Sequence, residues 1–191
     1  MKTEKCLDLL ATLLSTAAIP APEKTPLYRY AEAVLVMARA YESDGRTFFV
    51  SDDLVNALAC AWYGSGWLHF GLTYGLLEMS LPVGCPFLSP CESLPLLFAR
   101  KLEEKTYRYQ QLLDTARASV KCAGEPATAG YDFSEKVLFI AGLYAAQGAV
   151  HLRGGTYEDG LACFSYGHGW LDAGVSTGLF TITANNDLFT V

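Results

Sequence analysis

What this chain has little of narrows it first. Among its 191 residues only 18% are charged and the net charge is -6, with lysine and arginine scattered rather than gathered into a run. A nucleic-acid binder normally presents a basic face to phosphates, so that class is excluded. No two of the six cysteines (Cys6, Cys60, Cys85, Cys91, Cys122 and Cys163) form a CxxC pair, which removes zinc ribbons and thioredoxin-like motifs. GxSxG, HExxH and a strand-led phosphate loop are also missing, so neither a hydrolase elbow, a zincin nor a nucleotide site is supported. No β-strand pattern competes with the helical ones.

Half of the residues are hydrophobic, enough for a sizeable core in one domain or two small ones. Two segments imitate membrane signals. Lys2 and Lys5 precede an apolar run, but Asp8 interrupts it. Residues 54–77 carry no formal charge, yet Asn56, Ser65, His69 and Thr73 dilute the stretch and no basic cluster flanks it. It reads as a buried central helix rather than a membrane span. Cys60 and Cys163 fall in helical patterns as small hydrophobes, Cys85 and Cys91 share a proline-rich loop, and the cysteines together suit a reduced intracellular protein.

The chain matches itself without gaps at an offset of 103 residues. The densest block pairs Leu58/Leu161, Ala59/Ala162, Cys60/Cys163, Tyr63/Tyr166, Gly64/Gly167, Gly66/Gly169, Trp67/Trp170, Leu68/Leu171, Gly71/Gly174 and Gly75/Gly178. The expected architecture is all-α: two tandem three-helix up-and-down bundles related by pseudo-two-fold symmetry and packed into one globule. The first repeat takes residues 1–80, a proline-rich linker 81–92, the second repeat 93–184 and a frayed tail 185–191. Thr25 before Pro26 predicts a cap for the second helix. Ser51, Asp52 and Asp53 cap the third, Ser93 and Pro95 restart the fourth, and Asp132 with Glu135 starts the fifth as a capping box.

The third helix of each repeat carries two stripes. One holds Ala57, Cys60, Gly64, Gly71 and Gly75, matched by Gly160, Cys163, Gly167, Gly174 and Gly178. Glycine inside a helix costs about 1 kcal/mol relative to alanine, so the stripe implies close approach of another helix. The expectation is that the two glycine stripes face each other across the pseudo-two-fold axis. The second stripe, Tyr63, Trp67, Phe70 and Tyr74, reads as core.

The run YEDGLACFSYGHGWLDAGVSTGLF resembles the signature of an archaeal family, domain of unknown function 357, across the last two helices of the second repeat. The first repeat departs from it, with Ser65 for His168 and His69 for Asp172. The resemblance implies a small helical bundle, here in tandem, from an archaeal cytoplasm and without an assigned activity.

His168 and Asp172 stand four residues apart on one helical face, a spacing that suits a metal pair or an oriented His–carboxylate contact. Hairpin geometry brings Glu135 towards Asp172 and Glu32 towards His69, giving a candidate polar cluster of Glu135, His168, Asp172, Glu32 and His69. His151, whose counterpart is Phe48, reads as a surface or interfacial residue. The residues favour a non-enzymatic interaction or scaffold module in which duplication fuses a homodimer of single repeats, with a protein partner, scope for further oligomerisation and no cofactor. The alternative is a ligand- or metal-binding bundle, enzymatic or not, that uses this cluster or a pocket between the halves.

Overall fold

The computed structural model describes residues 2–80 and 93–190, and among these residues are six α-helices. They are α1 (Lys2–Thr16), α2 (Pro26–Val50), α3 (Leu54–Thr73), α4 (Ala99–Ala118), α5 (Ala129–Arg153) and α6 (Tyr157–Ser176). The expected proline-rich linker, and with it any pairing of Cys85 and Cys91, lies outside the described residues. Among the described residues no helix is long and apolar enough to cross a membrane.

Local chemistry sets the helix starts. Thr25 is extended at φ -84° and ψ 156°, and its side chain accepts from the Tyr28 amide with Pro26 in the first turn. Asp53 caps α3 by accepting from the Asn56 amide. The fifth helix departs from expectation: Thr128, the counterpart of Thr25, accepts from the Tyr131 amide, while Asp132 sits inside the first turn. The 103-residue offset predicts this cap better than the capping-box pattern does. Ser93 and Pro95 start no α-helix directly; a 3-10 turn at Leu96–Phe98 intervenes before α4.

Residues with positive φ recur at the same offset: Lys24 with Ala127, Asp52 with Gly155, and Gly75 with Gly178. At Gly75 and Gly178, φ is 76° and 77°, and the amides of Leu76 and Leu179 reach back to the carbonyls of Gly71 and Gly174. These two glycines terminate α3 and α6 in left-handed backbone and are not part of a helical stripe.

Two short antiparallel ladders appear where no strand pattern was read. β1 (Ala17–Ala18) pairs with β2 (Glu78–Met79), and β3 (Val120–Cys122) with β4 (Phe180–Ile182). Ala17 opposes Met79, and Val120 opposes Ile182. Two or three residues are too few for an alternating pattern; each ladder ties the exit of a repeat's first helix to the exit of its third.

α3 and α6 are buried along almost their whole length, as expected. They pack on each other, but not through the predicted glycine stripes. Gly64 faces Ala38, Tyr41 and Leu10, and Gly71 faces Val34 and Leu77. Gly167 faces Ala141, Tyr144 and Leu113, and Gly174 faces Val137 and Phe180. Both stripes therefore serve packing within their own repeat, where the neighbouring long helix crosses closest. Contact between the repeats is made at Gly66 and Gly169. A Cβ on Gly66 would lie 2.6 Å from the Tyr166 carbonyl oxygen and 3.1 Å from the Gly169 Cα. A Cβ on Gly169 would lie 2.4 Å from the Tyr63 carbonyl oxygen and 3.3 Å from the Gly66 Cα.

The aromatic stripe flanks this crossing. Phe70 meets Trp170 edge-on at 5.9 Å, and Tyr74 stacks on Phe133 at 4.4 Å. At the other end of α3, both oxygens of Asp53 take the Lys101 ammonium at 2.8 Å, and Lys105 reaches Asn56 while lying over the Tyr109 ring.

Backbone atoms cannot give way as a side-chain tip can, so Gly169→Ala is expected to cost at least about 2 kcal/mol in urea unfolding. Gly130→Ala, with open space around its Cβ, is expected to change stability by no more than about 1 kcal/mol. Equal effects of the two substitutions would rule out backbone contact at the crossing.

Candidate functional site

Three residues either side of the two crossing glycines lie the polar groups that face each other across the repeats. The Tyr63 hydroxyl donates to Oδ2 of Asp172 at 2.8 Å, and the Tyr166 hydroxyl lies 2.8 Å from Nδ1 of His69. Tyr63 and Tyr166 occupy one repeat position; Asp172 and His69 occupy another. Behind each tyrosine stands a second, Tyr41 at 4.4 Å from Tyr63 and Tyr144 at 4.6 Å from Tyr166 between ring centroids.

Asp172 is fully buried. A carboxylate removed from water needs donors on its lone pairs, and three converge on it. Besides Tyr63, the Thr190 amide donates to Oδ1 at 3.0 Å and the Thr190 hydroxyl to Oδ2 at 2.6 Å. The expected fraying from Asn185 onward is therefore corrected. Residues 183–190 return over α6: the Thr183 amide and hydroxyl bond the Ser119 carbonyl, the Asn185 side chain donates to the Ser119 hydroxyl, and Phe189 is buried. Burial and the Asp172 charge both push the Tyr63 phenol upward, so it stays a neutral donor; Tyr41 rises for the same two reasons.

His168 lies beside this carboxylate, 5.4 Å from Tyr63 and 6.5 Å from Phe189 between ring centroids. Burial holds its pKa below the ordinary value, opposed by Asp172 and by a backbone hydrogen bond to Leu188. Its Nε2 has no partner. In the first repeat, Ser65 occupies this place and returns its hydroxyl to the Ala61 carbonyl of its own helix. Burial alone lowers His69 to about 4.

The structure thus joins His168 with Asp172 and places His69 in the equivalent position across the crossing. Glu135 and Glu32 do not join them. Both are exposed on the outer faces of α5 and α2, where Glu135 instead bonds the Tyr131 side chain. Adjacent residues Ser134 and Ala31 face inward, which turns the glutamates away. Among the described residues, no group of three His, Cys, Asp or Glu side chains is placed to hold a metal ion. His151 packs at the α5–α6 turn against Thr156, with Asp159 at 3.8 Å. A cleft of about 490 Å³ is lined by Val175, Phe180, Ile182 and Asn186, while the aromatic side chains fill the space between the repeats.

Tyr63, Tyr166 and Thr190 are the participants that sequence reading missed. Counting three residues before and after Gly66 and Gly169 finds the tyrosines and their partners; Thr190 has no such signal.

Fold and site together define a mostly helical tandem-repeat protein whose interior polar groups bridge its two repeats. The chain belongs to the family described as Protein of unknown function (DUF357), whose model matches residues 5–77 and again residues 108–180. Comparison with curated proteins gives no match, and comparison with solved structures gives none.

Two outcomes follow from this geometry. Asp172→Asn keeps the shape but turns an amide donor towards groups that themselves donate, which is expected to cost about 1–3 kcal/mol and to accelerate amide exchange at Thr190. An unchanged exchange rate there would contradict the role of Asp172 as anchor of the 183–190 segment. The second outcome concerns acid. The unfolded chain takes up a proton on His69 near the ordinary value of 6.5, whereas the fold resists until about 4. The contribution is therefore complete above pH 6.5 and lost as pH falls towards 4. Between pH 7.5 and 4.5 the parent chain is expected to lose about 2–3 kcal/mol more than His69→Gln in urea unfolding; equal losses would refute this.

Proposed function

We propose that this chain is a non-enzymatic interaction module in which internal duplication fuses what would otherwise be a homodimer of single repeats. A pseudo-two-fold axis passes through the Gly66–Gly169 crossing and relates residues 2–80 to residues 105–183, with residues 93–104 and 184–190 outside the repeat. The observation that carries this reading is the reciprocity at the crossing. Each glycine admits the other helix's backbone, and each tyrosine reaches a polar side chain of the other repeat. An isologous interface has that form, residue i meeting j and j meeting i.

Tyr63, Asp172, Tyr166 and His69 are spent on one another or on Thr190 and covered by packed side chains, an arrangement for cohesion rather than turnover. The outer faces of α2 and α5 remain for partners. A cytoplasmic setting accords with Cys60, Cys122 and Cys163 being free thiols.

Residues 1–80 and 93–191 produced as two separate chains in one cell are expected to co-purify at equal stoichiometry, and each alone to be insoluble or to pair with itself. Two independently stable monomers that ignore each other would overturn the fused-dimer reading.

A further inference from the structure

α2 and α5 hold equivalent places in their repeats, yet their outer faces differ. On α2 that face carries Val36, Arg39, Ala40, Ser43, Asp44 and Thr47. The same positions on α5 are Phe139, Gly142, Leu143, Ala146, Gln147 and Val150; from Val137 to Val150 the helix itself has no charged residue, and the Arg117 guanidinium of α4 lies against Gly142 at its edge. Phe139, Leu143 and Val150 are 69%, 50% and 58% exposed, and Ala146 is exposed between them. Spacings of four, three and four residues align these side chains in one stripe, the pattern of a helix that pairs with another helix. Isolated exposed apolar residues are ordinary; an aligned row is an unpartnered face.

We propose that this stripe joins two copies of the chain, α5 lying antiparallel against α5 of the second copy. The inference rests on the reading of the chain as an interaction module and names its partner. Two-fold pairing demands a patch complementary to itself, and the stripe meets that demand. About its midpoint between Tyr144 and Ala145, Phe139 falls opposite Val150 of the second copy and Leu143 opposite Ala146, large against small.

The ends of the helix set the direction. Asp132 and Glu135 are exposed at the N-terminal end, whereas Arg153 is exposed in the last turn, where His151 instead turns to Thr156 and Asp159. Antiparallel pairing brings acidic end to basic end twice; parallel pairing sets like against like. Lys136, the basic residue at the acidic end, leans away over the Phe133 ring, its Nζ 5.7 Å from the centroid. Four side chains, one of them only a methyl, bury well under the roughly 800 Å² per partner of a standard interface. The dimer is accordingly weak, with a Kd on the order of 100 µM.

Sedimentation equilibrium of the full chain from about 10 µM to about 1 mM, a range that brackets this Kd, is expected to show a monomer–dimer equilibrium. Leu143→Glu and Ala146→Lys, both at exposed positions, are each expected to sediment as monomers with an unchanged melting temperature. Mixing the two variants restores the dimer, because position 143 of one copy faces position 146 of the other. A parent chain that stays monomeric at the highest concentration, or a dimer that survives both substitutions, overturns the inference. A mixture that remains monomeric overturns the antiparallel register. The separated halves report only on the α3–α6 contact. A monomeric chain whose halves still reassociate therefore sinks this inference alone, and halves that ignore each other sink the fused-dimer reading alone.

Discussion

Two missing side chains, at Gly66 and Gly169, set the geometry on which the rest of the molecule depends. Where they meet, the backbones of α3 and α6 touch; a single methyl on either would fall within 2.6 Å of a carbonyl oxygen of the opposite helix. Ordinary helix pairs keep axes 8–10 Å apart because side chains intervene. Removing that spacer brings residues three positions away into hydrogen-bonding range, so Tyr63 reaches Asp172 and Tyr166 reaches His69. Phe70 and Trp170 then close the gap that opens as the helices diverge. The remaining helices wrap this pair, each repeat supplying its own glycines, Gly64 and Gly71 or Gly167 and Gly174, to bring α2 or α5 down onto the central helix.

Polar atoms placed in such a core have to be answered by other polar atoms, and the two repeats answer differently. His69 remains neutral in the fold and needs only the Tyr166 hydroxyl. Asp172 needs more, and it receives three donors, two of them from Thr190. The docking of residues 183–190 is thereby explained: the chain continues past β4 and folds back to supply the amide and hydroxyl that a buried carboxylate requires. His168 is the exception: burial favours its neutral imidazole and its ring packs between Tyr63 and Phe189, but its Nε2 is left without a partner.

Much of this was legible in the sequence, for physical reasons that can be named. Duplication is visible because identical side chains recur at a fixed offset, and the offset carries backbone detail with it: the Thr25 and Thr128 caps and the left-handed residues Gly75 and Gly178 all follow the repeat. Helical periodicity correctly marks α3 and α6 as buried on nearly every side. It fails to say which glycines face which neighbour, because in a helix enclosed all round every stripe has an equal claim to a partner. Gly66 and Gly169 fell outside the chosen stripe although the repeat contains both. Hairpin geometry levels Glu32 and Glu135 with His69 and Asp172, which fixes height along the axis but not rotation about it. One residue of rotation, to Ala31 or Ser134, separates the interior from solvent. The ladders and the return of residues 183–190 leave no periodic trace in two- or three-residue segments.

Fusion of the two repeats in one chain has a physical consequence at the crossing. In a homodimer of single repeats, whatever stands at the Asp172 position would stand there twice, on either side of the same glycine contact. Two buried carboxylates would then each require a set of donors, and each would raise the cost of ionising the other. A tandem chain escapes that constraint, because its two copies of the position are separate residues. One can be His69, satisfied by a single hydroxyl, while the other is Asp172, held by three donors and covered by the segment that ends at Thr190. The same freedom extends to the outside, where α2 keeps Arg39 and Asp44 on its exposed face while α5 presents Gly142 and Gln147 at those positions. Reciprocal contact at the crossing and differences around it are therefore compatible: backbone contact between Gly66 and Gly169 constrains those two positions to remain alike, and a position with its own solvent or its own cover is free to differ.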